Sequence, residues 1–237
     1  METMREAPFL GHKIMLFTAH PDDESYLAAG TIYENRRRGG RTDLVCATCG
    51  GKGSSHLRQP LRAKALKLLR QGELRRAAKY LGAGTVVIYD FPDGKLSTRE
   101  TPLFEKALRI AQKLKPEYIL SFGLDGITGH LDHIAAGRVA RKIAAWLSIP
   151  FYAFALPPKF GKNAQKWLVS RRKKGSYAKG KLQFGKPDTA VKIRRQVKLR
   201  ALRFHASQME GKNLFTGYPD YAVRALLSHE YFVRMKV

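Results

Sequence analysis

The chain has 237 residues, 44% of them hydrophobic and 27% charged, enough apolar material for a sizeable core and too much for a disordered chain. Lys and Arg number 44 against 19 Asp and Glu, a formal net charge of +25 that puts an anionic partner or substrate in play. No run approaches the roughly 18 apolar residues that cross a bilayer, and the N-terminal METMREAPFLGHK lacks the apolar stretch of a secretory signal, which together predict a cytoplasmic protein.

In chain order, KIMLFTA (13–19) reads as a buried strand, and ESYLAAGTIYENRRRG (24–39) as a helix ending at Gly39-Gly40. TDLVCAT (42–48) is a second strand. Residues 59–82 have helical periodicity across two segments, stopped by Gly82. TVVIYDF (85–91) is a third strand, residues 102–115 a helix, EYILSFG (117–123) a fourth strand, residues 130–148 a helix and PFYAFAL (150–156) a fifth strand. This alternation implies α/β architecture, a mostly parallel sheet covered by helices on both faces. Residues 159–187 are rich in Lys, Arg and Gly without a clear period. A helical stretch over 190–208 follows, and HEYFVRMKV closes the chain as a last strand. The length suits one domain over 1–237, with a basic elaborated segment at about 157–190. Cys46 and Cys49 form a lone CxxC that runs into a glycine loop, and read as small buried residues near a strand end, with redox or metal roles the alternatives.

Sites in parallel sheets lie at the carboxyl ends of strands. TAHPDDES (18–25) and GLDGITGHLDH (123–133) both occupy such ends. Pro21 suits a tight turn that lets His20 and Asp23 converge while Asp22 points elsewhere. Imidazole and carboxylate are ordinary zinc ligands, and His130, Asp132 and His133 can supply a third. A set of two histidines and one carboxylate leaves room for water, whose pKa the metal lowers to about 7. Asp22 is then free to act as general base, and a histidine to stabilise an oxyanion. The competing reading is structural: Asp22 or Asp23 as a helix N-cap with Glu24 near the positive helix end, and GHLDH likewise. Two motifs with complementary ligands at equivalent strand ends favour the metal site.

AHPDDE followed by GHLDH resembles the zinc-dependent N-acetylglucosaminyl deacetylases of the LmbE-like or PIG-L-like family. RQGELRRAAKYLGA (70–83), FPDGKL (91–96) and KLRALRFHASQ (198–208) are similar to further segments of that family, so the resemblance covers most of the chain outside about 157–187. It implies a Rossmann-like three-layer αβα sandwich and a hydrolase that removes acetyl from an N-acetylglucosamine-type sugar or glycoconjugate. It implies Zn2+ on His20, Asp23 and His133, although these donor types also accept iron or cobalt. Asp22 is implied as general base, His130 as carbonyl or oxyanion partner, Asp132 as orienting a histidine and Arg70 as a sugar contact. Cys49 in TCGGKGSS and Lys192 depart from the family pattern. GGKGSS lacks P-loop spacing and reads either as a rim of the sugar pocket or as an ordinary turn. His12, His56 and His229 read as surface or satisfied core residues, and His205 as packing its helix, with substrate contact second.

Residues 159–212 carry 17 Lys and Arg against Asp188 and Glu210. A solvated basic face is one reading, and an anionic substrate or surface a second. Nucleic acid is a third, with Tyr177 and Phe184 as stacking residues, on a non-catalytic binding protein of the same fold. The sequence leaves homo-oligomer formation and the group attached to the sugar open.

Overall fold

The computed structural model describes residues 5–53, 55–57, 59, 61–157, 170, 176–178, 186–209, 215 and 219–237. Strands β1 (Arg5–Glu6), β2 (Lys13–Thr18), β3 (Arg41–Thr48), β4 (Val86–Phe91), β5 (Tyr118–Ser121), β6 (Phe151–Ala155), β7 (Thr189–Lys192) and β8 (His229–Met235) join in one sheet in the order β1-β7-β8-β6-β5-β2-β3-β4. All neighbours pair in parallel except β8, which runs antiparallel to β6 and β7. The helices are α1 (Asp23–Leu27), α2 (Ala29–Arg37), α3 (Ala63–Leu81), α4 (Glu100–Leu114), α5 (Gly126–Gly129), α6 (Leu131–Leu147), α7 (Arg195–Arg203) and α8 (Asp220–Ser228). Helices α2, α3 and α7 pack together, as do α4 and α6, and they form the outer layers of an αβα sandwich. None of the described helices is long and apolar enough to cross a membrane.

The central strands β2 and β3 are buried along nearly their whole length, because both sheet faces are covered. This is why KIMLF and LVCA read as continuous apolar runs rather than alternating ones. Helix α3 buries a stripe at helical spacing, Leu66, Arg70, Glu73, Leu74, Ala77 and Leu81, and ends where Gly82 takes a left-handed conformation (φ 76°). Two charged residues inside an otherwise apolar stripe mark it as more than a packing surface.

The structure corrects the sequence reading in several places. The helix expected over 24–39 divides at Ala28 (φ −145°), and that over 59–82 is one helix, Ala63–Leu81. The stretch 190–208 opens as strand β7, because β8 and β1 flank it and supply its ladder, and only Arg195–Arg203 is α-helical. Its Lys198 is fully buried, not part of a basic face, and donates to Glu230 Oε1 at 3.0 Å. Glu230 also accepts the Gly30 and Thr31 amides at 3.0 and 2.7 Å, so β8 caps the start of α2. Most of the basic segment, residues 158–169, 171–175 and 179–185 with Phe184 among them, lies outside the described residues.

Candidate active site

The sheet order reverses between β2 and β5: from β2 the chain steps out to β3 and β4, then returns to β5 on the other side of β2. Loops after these two strands diverge and leave a crevice at their carboxyl ends. From β2 the chain turns through residues 19–22 into α1. From β5, residues 122–130 lead into α6, whose first turn holds Asp132 and His133.

His20 Nδ1 lies 3.2 Å from His133 Nε2. The Asp23 carboxylate reaches both, 3.8 Å from His20 Nδ1 and 3.3 Å from His133 Nε2. Each ring has its other nitrogen engaged. His20 Nε2 donates to Asp132 Oδ2 at 3.1 Å and faces Asp93 Oδ1 at 3.3 Å, and His133 Nδ1 donates to the Gly126 carbonyl at 3.0 Å. Carboxylates and carbonyls only accept, so those nitrogens carry the hydrogens. Two imidazole lone pairs therefore face each other beside a carboxylate, and this calls for a cation between them. A tetrahedral zinc with bonds of about 2.0–2.2 Å needs ligand atoms about 3.3–3.5 Å apart, close to the observed separations. A proton answers the same need: burial disfavours it, but hydrogen bonds to Asp132 and Asp93 raise His20 to about 10. Burial likewise opposes charge on Asp23, yet His133 and His20 beside it hold its carboxyl below the usual carboxylate range.

The surroundings fix these donors. Asp23 Oδ2 accepts the Ala19 and His20 amides at 3.1 and 2.8 Å, and the His133 ring stacks on Phe122 with centroids 4.1 Å apart. A second cluster, His20, His130 and Asp132, is also close enough to hold a metal. There the carboxylate is already committed, since Asp132 accepts the Gly94 and Leu96 amides at 2.6 and 2.9 Å, and His20 Nε2 carries a hydrogen directed at it. The set of His20, Asp23 and His133 is the better fit to a metal.

An open cleft of about 320 Å³ lies over this centre, lined by His20, Asp22, Asp23, Arg70, Asp93, His130, His133 and Tyr177 among others. Asp22 faces it from a backbone at φ 125°, a conformation that costs a non-glycine residue about 1–3 kcal/mol. Burial pushes the Asp22 carboxyl above its ordinary range, with Arg70 pulling the other way. Opposite, His130 presents Nε2, since its Nδ1 accepts from the α6 amide. Burial and the neighbouring His133 and His20 lower its pKa and keep it neutral.

Residues 15–144, more than half the chain, match the family model described as PIG-L, GlcNAc-PI de-N-acetylase. The chain belongs to this family. This PIG-L chain is 31% identical over 212 residues to a probable N-acetyl-alpha-D-glucosaminyl L-malate deacetylase 2 of Bacillus anthracis, a match spanning 85% of this chain and 83% of that one. Its fold is similar to N,N'-diacetylchitobiose deacetylase from Pyrococcus horikoshii (TM-score 0.68, 22% identity, 94% of this chain and 84% of that one). It is also similar to GalB, a 4-carboxy-2-hydroxymuconate hydratase of Pseudomonas putida (TM-score 0.63, 20% identity, 95% and 97%). A hydratase on the same fold means that the site, not the fold, has to carry the reaction.

Within the PIG-L chain, every sequence-derived site residue lies at or beside the cleft. Arg70 touches its floor but is only 3% exposed, and its guanidinium donates to Gly50 O at 2.8 Å, Pro21 O at 2.5 Å and Asp22 Oδ2 at 3.2 Å. The glycine loop makes room for it: a Cβ on Gly50 (φ 68°) would stand 2.3 Å from Arg70 Nη1. Asp93 is the residue the sequence reading missed. Its carboxylate pairs with His20 and accepts the Lys52 amide at 2.8 Å, which together hold its pKa down at about 2 against burial. Its signal was the acid of FPDGKL (91–96), read only as a segment similar to the family's, with no role given to its carboxylate. Cys46 and Cys49 are buried free thiols bonded to backbone carbonyls, as the sequence suggested.

Proposed function

We propose that the protein is a metal-dependent hydrolase that removes acetyl from an N-acetylglucosamine-type substrate, releasing acetate and a free amine. The observation that carries this reading is the facing lone pairs of His20 and His133 beside Asp23, with Asp22 and His130 lining the same cleft. The deacetylase relative in Bacillus anthracis supports the substrate class.

His20, Asp23 and His133 hold the metal, with zinc the best match to two nitrogens and an oxygen. When bound, the cation supplies Lewis acidity, acidifying water and polarising the acetamide carbonyl. Asp22 accepts the proton from the attacking water as the new C–O bond forms. His130 Nε2–H donates to the carbonyl oxygen as negative charge grows there. Asp22 then returns the proton to the departing nitrogen as the C–N bond breaks, and the amine leaves. Asp132 keeps His20 Nδ1 turned toward the metal by accepting from Nε2. Arg70 holds Asp22 from the floor of the cleft. One domain over 1–237 accommodates all of these parts.

Acetate release across a panel of N-acetylated glucosamine glycosides, with zinc measured on the same preparation, tests the proposal. Chelation should abolish release and zinc restore it. Asp22→Asn should lower kcat by about 10²–10⁴-fold and keep the metal, and His20→Ala should lose the metal. Full turnover by Asp22→Asn would remove the base assignment, and undiminished turnover by metal-free protein would remove the centre.

A further inference from the structure

Asp22 is the one described non-glycine residue lining the cleft with a positive φ, and the residue whose placement matters most to proton transfer. Its backbone at φ 125° is held from behind. The Asp22 amide donates to Glu24 Oε2 at 3.1 Å, and its carbonyl accepts from the Ser25 and Tyr26 amides at 2.9 and 3.0 Å. Glu24 is fully buried, and its other oxygen accepts from His205 Nε2 at 2.7 Å and Ser25 Oγ at 2.6 Å. His205, 1% exposed and 181 positions away in sequence, sits in the turn after α7. That turn is pinned by Glu73, which accepts from the Ser207 amide at 2.8 Å and the Ser207 hydroxyl at 2.6 Å. Glu73 lies on α3 three positions after Arg70. Helix α3 thus reaches Asp22 twice, directly through Arg70 and indirectly through Ser207, His205 and Glu24. None of Glu24, Glu73 and His205 lines the cleft.

We propose that Glu24 and His205 are positioning residues that hold Asp22 in its strained conformation so that its carboxylate meets the reacting water. The proposal rests on the reading of Asp22 as general base. It assigns a task to the His-x-Ser-Gln segment at 205–208 and to Glu73, which the reaction itself does not use. Without His205 the buried Glu24 carboxylate loses its 2.7 Å donor from the turn after α7 and is free to turn. The Asp22 amide then loses a firm acceptor.

The test is steady-state kinetics on zinc-loaded His205→Ala, His205→Gln and Glu24→Gln proteins, with zinc content and melting temperature measured alongside. His205→Ala should lower kcat about 10- to 100-fold with KM within about twofold and zinc retained. His205→Gln places an amide where Nε2 was and should recover most of the loss. In an Asp22→Asn background, His205→Ala should cost nothing further in kcat, because it acts through Asp22. Wild-type kcat in folded, zinc-loaded His205→Ala would overturn the proposal, as would independent, multiplicative losses in the double mutant. If His205→Ala does not fold, wild-type kcat in Glu24→Gln together with a lowered melting temperature would overturn it. Full activity in Asp22→Asn alone would instead bring down the base assignment, so the two failures are distinguishable.

Discussion

His130 meets the cleft with one nitrogen. Because Nδ1 accepts the first free amide of α6, the proton is on Nε2, and the neighbouring histidines oppose a second proton. It is therefore a neutral hydrogen-bond donor aimed at developing charge. His130→Ala is expected to lower kcat by about 10²–10³-fold, leaving zinc content and KM nearly unchanged; a rise in KM alone would make it a binding residue. At this scale the sequence showed which donor atoms were available: HPDD and GHLDH carry ligand types at strand ends, and the structure brings them together. It could not show which distant partner engages each atom. Glu24 read as an acid favourable at a helix start, yet its partner His205 arrives from the far end of the chain. Arg70, implied as a sugar contact, gives its guanidinium hydrogen bonds to the Asp22 turn and to the Gly50 carbonyl.

At the scale of elements, the alternation of apolar runs and helical periods was legible from Lys13 to Ala155, because buried parallel strands need continuous apolar sequence. Strand β7 was not. TAVK alternates β-branched Thr189 and Val191 but is only four residues long and runs straight into a basic helical pattern, and two neighbours distant in sequence make it a strand. The two-residue β1 and helix α8, beside residues 210–214 and 216–218 outside the described set, also went unread. Helix α6 deserves a test, since it carries His130 as its cap and Asp132 and His133 in its first turn. It lies so close to the end of β5 that a Cβ on Gly137 would stand 2.3 Å from the Phe122 carbonyl oxygen. That atom is backbone and cannot swing away. Gly137→Ala should lower the unfolding free energy by about 1–3 kcal/mol and weaken zinc affinity as His133 shifts. Chemical denaturation and metal titration measure both, and an unchanged zinc affinity would show that the helix yields without moving its first turn.

For the whole molecule the dominant quantity is the net charge of +25. The structure takes one of its cations, Lys198, into the core against Glu230, while Arg36, Arg75, Arg76 and Lys79 remain exposed on α2 and α3. Like charges at this density repel and oppose the compact state, and salt screens them. The melting temperature should therefore rise between 20 and 300 mM salt, as scanning calorimetry would record. A fall would mean that surface ion pairs such as Arg38–Glu6 and Lys67–Asp90 outweigh the repulsion.

The insertion of β8 between β6 and β7 has a temporal consequence. On the ribosome, β2 to β6 emerge early and can pair as they appear. Strand β6 must then wait with a bare edge until residues 229–235 leave the exit tunnel, and only that late arrival brings β7, and β1 with it, into the sheet. A nascent chain stalled before His229 would therefore offer β6 as an open template to neighbouring polypeptides, and binding of a trigger-type chaperone to such stalled chains should persist until β8 is translated.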